Sequence, residues 1–195
     1  MEEVFELNSD TGKEFAKLIC LNKDLRDKEF SECVFNKCDF SNANFSNTIF
    51  IDCKFINCNL SNIEITNCGL QDVKFENCKI IGVAFSKISS FLLAWSFFKC
   101  QINLCDFSKL EIKNTNFSEC EIKETDFIQT NLTGANFSKS DLTGSKFESS
   151  ILEKANFIGA KEFYIDPSRN KLKRARFSHP EVLLLLRSSE IEIEF

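Results

Sequence analysis

The chain has 195 residues, with 24 Lys and Arg against 29 Asp and Glu, a net charge of −5, and a single histidine. That histidine cannot build a Cys/His zinc site, and no Gly-rich phosphate loop or nucleophile elbow is present, so neither a metal site nor an enzyme is expected. No apolar run approaches the roughly 18 residues that a membrane helix needs.

Residues 1–24 do not follow the pattern that begins after them and are assigned as an N-terminal cap. The opening Met1-Glu2-Glu3-Val4-Phe5-Glu6 is acidic where a signal peptide is basic, which points to a cytoplasmic protein. Asp10-Thr11 is a candidate cap for a short helix carrying Phe15, Leu18 and Ile19, and Val4-Phe5-Glu6-Leu7 suits an extended segment.

From residue 25 to residue 160 a bulky apolar residue returns every fifth position. The centres are Leu25, then Phe30 through Phe85, then a series two residues out of phase from Leu92 through Phe157, and 15 of the 27 centres are Phe. A period of five matches neither the roughly 3.6 of a helix nor the 2 of a flat strand, so the chain turns a corner in each unit and forms a solenoid. Two positions before each centre stands a small residue, such as Cys33, Cys38, Ala43 or Thr115, and the two share an inward face. Four sides then close one coil of about 20 residues, with coils about 4.8 Å apart.

The break near 86–96 is assigned as a two-residue bulge, because that choice alone gives the unbroken column Phe35, Phe55, Phe75, Phe97, Phe117, Phe137, Phe157. Trp95 falls there on an inward small position, where an indole is not expected to fit, so either the backbone deviates or the ring faces out. Phe91, Leu93 and Phe98 are expected outside as well, making with Trp95 an apolar cluster that is a partner contact or a ridge over the bulge.

Residues 161–195 form the third segment. Leu172 and Phe177 return to phase as a last partial coil, and Ser178-His179-Pro180-Glu181 reads as a capping box that opens a helix. Four consecutive leucines in Val182, Leu183, Leu184, Leu185, Leu186 surround that helix on every side, so one side is expected to meet a second subunit. Ile191-Glu192-Ile193-Glu194-Phe195 alternates as a short strand does.

Nine of the ten cysteines occupy the inward small position, which makes them small apolar residues in a reducing compartment. A cysteine-rich redox or metal store is the rival reading, and a count of reactive thiols in the native protein separates the two.

Units such as Ala135-Asn136-Phe137-Ser138-Lys139 and Ser140-Asp141-Leu142-Thr143-Gly144 resemble the Ala-(Asp/Asn)-Leu-X-X unit of the pentapeptide-repeat family over residues 25 to 160. The resemblance implies an all-β fold, a right-handed quadrilateral parallel β-helix, here with a short C-terminal helix. The stretch from Tyr164 through Asn170, Leu172-Lys173 and Phe177-Ser178 to Leu185-Leu186 is similar to the C-terminal module of the Qnr and MfpA-like group, in which two subunits join tail to tail. For that group the resemblance implies mimicry of duplex DNA: the acidic dimer occupies the DNA site of DNA gyrase or topoisomerase IV and protects it from quinolones. No cofactor, direct nucleic-acid contact or membrane contact is implied. Qnr-like proteins carry a longer loop near the position where this chain adds only two residues.

Charge is a partial match to that role. Residues 25 to 160 hold 17 acids and 14 bases, a net of −3, whereas duplex DNA of the same length, about 33 Å, carries about twenty charges. Local columns do better: Glu32, Asp52 and Asp72 align at one corner, Asp106 aligns with Asp126, and Glu121 with Asp141. Like charges so close repel, which favours a functional reading, although Asp or Asn before the centre also belongs to the structural unit. Lys171, Lys173, Arg174 and Arg176 form a basic run that reads as a phosphate contact or as a solvated face. A general protein-interaction scaffold without a topoisomerase target is the alternative function.

Overall fold

A computed structural model describes residues 9–89, 93–189 and 191. Short parallel strands and bridges pair each coil with the next, 20 residues on, as in Phe35↔Phe55 and Phe55↔Phe75. Across the break the offset is 22, with Phe75↔Phe97 and Ile80↔Ile102 in register. The result is a right-handed quadrilateral β-helix of about eight turns with one short C-terminal helix.

Four faces follow in order around each coil. Face 1 carries Phe30, Phe50 and Leu70, then Ile112, Leu132, Leu152 and Leu172; face 2 carries the phenylalanine column. Face 3 carries Phe40, Leu60, Ile80, Ile102, Ile122 and Leu142, and face 4 Phe45, Ile65, Phe85, Phe107, Phe127 and Phe147. On face 2 the rings of Phe75 and Phe97 stack at 4.9 Å, and the column continues to Phe117 at 5.1 Å, Phe137 at 5.0 Å and Phe157 at 5.1 Å. In-register parallel pairing sets this spacing, and the rings exploit it by stacking.

Each unit turns its corner at the second residue after the centre, which takes left-handed φ. Of 25 non-glycine residues in that region eight are Asn and three Asp, the types that tolerate it best. This requirement, with no hydrophobic signature of its own, is absent from the apolar pattern.

The inward small residue does more than fill space. Its side chain donates to the carbonyl of a centre in the coil below: Cys33 to Asp10 at 3.4 Å, Thr48 to Leu25 at 2.6 Å, Cys53 to Phe30 at 3.2 Å, Thr130 to Phe107 at 2.9 Å, Ser145 to Ile122 at 2.9 Å. Cys, Thr and Ser interchange there because each is small and carries a hydrogen to give to a buried acceptor. All ten cysteines are buried and free, and burial pushes the Cys53, Cys68 and Cys105 thiols up to about 12.

Three expectations are corrected. The helix from Asp10-Thr11 is absent: Ser9–Thr11 and Glu14–Ala16 are strands paired with Glu29–Ser31 and Val34–Asn36, so regular coil begins well before residue 25. Asp10, Phe15 and Cys20 already keep the five-residue phase, and a carboxylate and a thiol at centres disguised it; Asp10 is buried and ion-paired with Lys13. Val4 to Leu7 lie outside the described residues.

Trp95 points inward and is 6% exposed, so it is no part of the outer surface. Its indole spans the tube to Phe85 at 5.4 Å and Phe107 at 6.1 Å, and Nε1 donates to the Leu70 carbonyl at 3.1 Å. The indole thereby does the work of a small donor. The flanking face 1 centres, Leu70 and Ile112, are aliphatic and buried. Leu93 is half-buried against the core, Phe98 is half-buried with Lys99 Nζ 4.9 Å from its ring centre, and Phe91 lies outside the described residues. No continuous apolar cluster is left among the described residues here.

At the C-terminus Phe177 stacks on Phe157 at 5.1 Å, completing the expected partial coil. The helix Glu181–Ser189 is 3-10 rather than α. Ser178 Oγ meets the Glu181 carboxylate at 2.8 Å in place of a capping bond to backbone N–H, while Val182 N–H donates to the Ser178 carbonyl at 2.9 Å. Leu184 and Leu185 pack on the core; Val182 and Leu183 are half-buried and Leu186 is exposed. Ile191 is exposed, and the rest of the terminal alternation lies outside the described residues.

Candidate partner-binding surface

The described residues contain no cluster of three metal-ligating side chains, and no described helix is long and apolar enough to cross a membrane. What the tube offers is its outside. Glu32, Asp52 and Asp72 do share a corner, with φ of 55°, 52° and 51°, and the N–H groups of Glu32 and Asp52 each bond the coil above at 2.8 and 2.9 Å. Asp106 pairs in register with Asp126 on face 4, and Glu121 with Asp141 on face 3. The expected columns therefore exist as geometry.

Their charge is partly answered by lysine. Lys123 Nζ lies 3.2 Å from Glu121 and 3.5 Å from Asp141, and Lys146 Nζ lies 3.3 Å from Asp126. Burial raises the Asp106 carboxyl, but bonds from Ser108 and Ser86 outweigh it and hold the group below the usual carboxylate range. The Asp141 carboxyl is also lowered, with burial again opposing and Thr143 and Lys123 prevailing. Glu121 is lowered chiefly by Lys123 and then by Gln101. All three are ionised at neutral pH.

The aspartates also brace the backbone. Ser108 N–H donates to Asp106 Oδ1 at 2.9 Å and Thr143 N–H to Asp141 Oδ1 at 3.1 Å. Neutral Asn does the same elsewhere, as Ser46 N–H to Asn44 Oδ1 at 2.9 Å and Ser138 N–H to Asn136 Oδ1 at 3.2 Å. The fold needs the acceptor oxygen, not the charge. Where Asp replaces Asn, the negative charge is surplus to folding.

Face 2 has another character. Asn136 donates to Asn116 at 3.0 Å and Asn156 to Asn136 at 2.9 Å, forming an amide ladder, and Lys54 stands in register with Lys74. A recurrence of Asn every 20 residues at 116, 136 and 156 was the available signal for this ladder. The aligned carboxylates thus lie on faces 3 and 4 and at the corner of Glu32, Asp52 and Asp72, and the basic run Lys171, Lys173, Arg174 and Arg176 lies outward at the C-terminal end.

The description "Pentapeptide repeat region" matches residues 28–91 and 88–157. The chain belongs to the pentapeptide-repeat family. No curated protein sequence matches it. Among solved structures it is similar to QnrB1, a plasmid-mediated fluoroquinolone resistance protein, with TM-score 0.58 and 14% identity over 94% of this chain and 100% of that one. It is similar also to HetL, a pentapeptide-repeat protein involved in heterocyst differentiation regulation in the cyanobacterium Nostoc, with TM-score 0.42 and 16% identity over 86% of each chain. Within the pentapeptide unit, Asp106, Asp126, Glu121 and Asp141 occupy the position before the centre, and Glu32, Asp52 and Asp72 the left-handed corner.

Proposed function

We propose that this pentapeptide-repeat chain is a non-enzymatic cytoplasmic binding rod that imitates duplex DNA. Its target is a type II topoisomerase, DNA gyrase or topoisomerase IV, which it modulates or protects from quinolone-type inhibitors. The observation that carries the reading is the surplus charge of Asp106 and Asp141, where the fold asks only for an acceptor, each in register with a further carboxylate, Asp126 or Glu121, on adjacent faces. Likeness of the fold to a fluoroquinolone resistance protein supports the choice of target. Two subunits join through Val182, Leu183, Leu184, Leu185 and Leu186; the exposed Leu186 and half-buried Val182 and Leu183 supply apolar surface for that contact. Titration of the purified protein into a gyrase supercoiling assay, with and without ciprofloxacin, is expected to inhibit the enzyme or rescue it from the drug. Neither effect at any concentration rejects the reading.

A second reading is a protein-interaction scaffold without a topoisomerase target. The lysines interleaved with the carboxylates, Lys123 and Lys146, favour it, since they dilute any likeness to a phosphate backbone. Binding to a purified non-topoisomerase partner with gyrase activity untouched separates the two.

A further inference from the structure

Leu104 breaks the rule that governs the other corners. It is the one apolar side chain among the 25 non-glycine residues with left-handed backbone, at φ 55°, and it is 58% exposed. At this corner the coils below carry Asn42, Asn62 and Gly82, and those above carry Glu124 and Gly144. Gly82 puts no side chain beneath it. Left-handed backbone penalises leucine relative to Asn or Gly, and an exposed leucine gains little from the hydrophobic effect. Neither local conformation nor core packing accounts for leucine at this position.

The surroundings supply a reason. This corner divides face 3, with Glu121 and Asp141, from face 4, with Asp106 and Asp126. Glu124, the next residue up the corner, is exposed and has no ion pair among the described residues. Of the five carboxylates there, Lys123 and Lys146 pair with Glu121, Asp141 and Asp126, while Asp106 and Glu124 have no ion pair among the described residues; Lys109 acts on Asp106 from a distance and Lys161 stands in register with Asp141, so the excess is one. An exposed apolar side chain bordered by charge beside and above it has the arrangement of an interface anchor with a polar rim.

We propose that Leu104 anchors a docking surface at this corner, fitting a protein partner that presents an apolar patch bordered by Lys or Arg. The inference rests on the reading that this edge binds protein, and deepens it. Duplex DNA offers cationic partners phosphates but no leucine, so Leu104 lets a partner tell this rod from DNA.

The test compares wild type, Leu104→Asn and a control on face 2, Ile158→Asn, in three measurements. Thermal unfolding is expected to leave Leu104→Asn as stable as wild type or more so, because Asn suits the corner; a lowered midpoint assigns Leu104 a structural role and overturns the proposal. Binding to the DNA gyrase holoenzyme is expected to weaken at least tenfold, about 1.4 kcal/mol, in Leu104→Asn and to be unchanged in Ile158→Asn. Binding to an amphipathic Lys/Leu helical peptide, followed by fluorescence anisotropy, is expected to weaken in the same order. If wild type binds the peptide through Leu104 but not gyrase, the topoisomerase reading falls and the anchor stands. If Leu104→Asn binds both probes as wild type does, or wild type binds neither, the anchor is overturned.

Discussion

The two halves of the tube, before and after residues 90–92, fill the same square interior in different ways. In the second half Phe occupies faces 2 and 4 and Leu or Ile faces 1 and 3, so each coil repeats the last. Phe107, Phe117, Phe127 and Phe137 stack at 5.0 to 5.2 Å and meet edge-on at 5.7 Å, with none exposed. In the first half six successive centres, Phe30 to Phe55, are all aromatic and crowd edge to face at 5.3 to 5.6 Å around adjoining faces. Leu60, Ile65 and Leu70 follow, and among them lies an apolar internal cavity of about 20 Å³. Alternating large and aliphatic columns pack uniformly; a run of rings has to be relieved by a coil that packs less well.

The largest effect expected from this contrast comes from truncating a ring in the tight half. Phe97→Ala, removing a ring stacked on both Phe75 and Phe117, is expected to lose about 3–5 kcal/mol. A smaller loss is expected for Phe75→Ala, whose ring lines the cavity and already lacks some of its neighbours there. Urea midpoints of the two variants check the order, and equal losses would remove the packing difference between the halves.

Next in size is the response to alkali. Six cysteines whose thiols are raised, Cys20, Cys38, Cys53, Cys58, Cys68 and Cys78, lie in the first half and two, Cys100 and Cys105, in the second. Burial raises thiols such as Cys53 and Cys68 from 9.0 to about 12 in the folded chain. Above pH 9 the unfolded chain gives up thiol protons that the folded chain keeps, so this contribution is full below pH 9 and is lost as pH rises towards 12. Hydrogen exchange at about pH 10 against about pH 7 is expected to show the first half opening before the second. Uniform opening would mean that the thiols do not set the order.

The smallest effect is a gain. Leu60→Phe places a ring above Phe40, towards the cavity of about 20 Å³, and at roughly 24 cal/mol per Å³ filling it stabilises by about 0.5 kcal/mol. Thermal unfolding checks it; a lowered midpoint would mean that the cavity cannot take the ring's shape.

The period of five, the four faces and the two-residue bulge were legible in the sequence, because a solenoid core is built from near neighbours and repeats its apolar residues at fixed intervals. The first coil was hidden because Asp10 and Cys20 hold centre positions without looking apolar. The acidic columns were legible as alignments, but not the lysines that answer them, since Lys123 reaches Asp141 across coils through side-chain rotamers that no spacing specifies.

Sequence by itself determined the coil and its register, since a bulky residue at every fifth position has only one way to face a common interior. Tertiary structure decided the direction of Trp95, whose indole meets the rings of Phe85 and Phe107 and finds the Leu70 carbonyl as acceptor. It also decided which thiols and hydroxyls serve as donors and left Leu104 standing free at a charged corner. Those outcomes depend on what lies one coil above and below, which the order of residues along one coil does not contain.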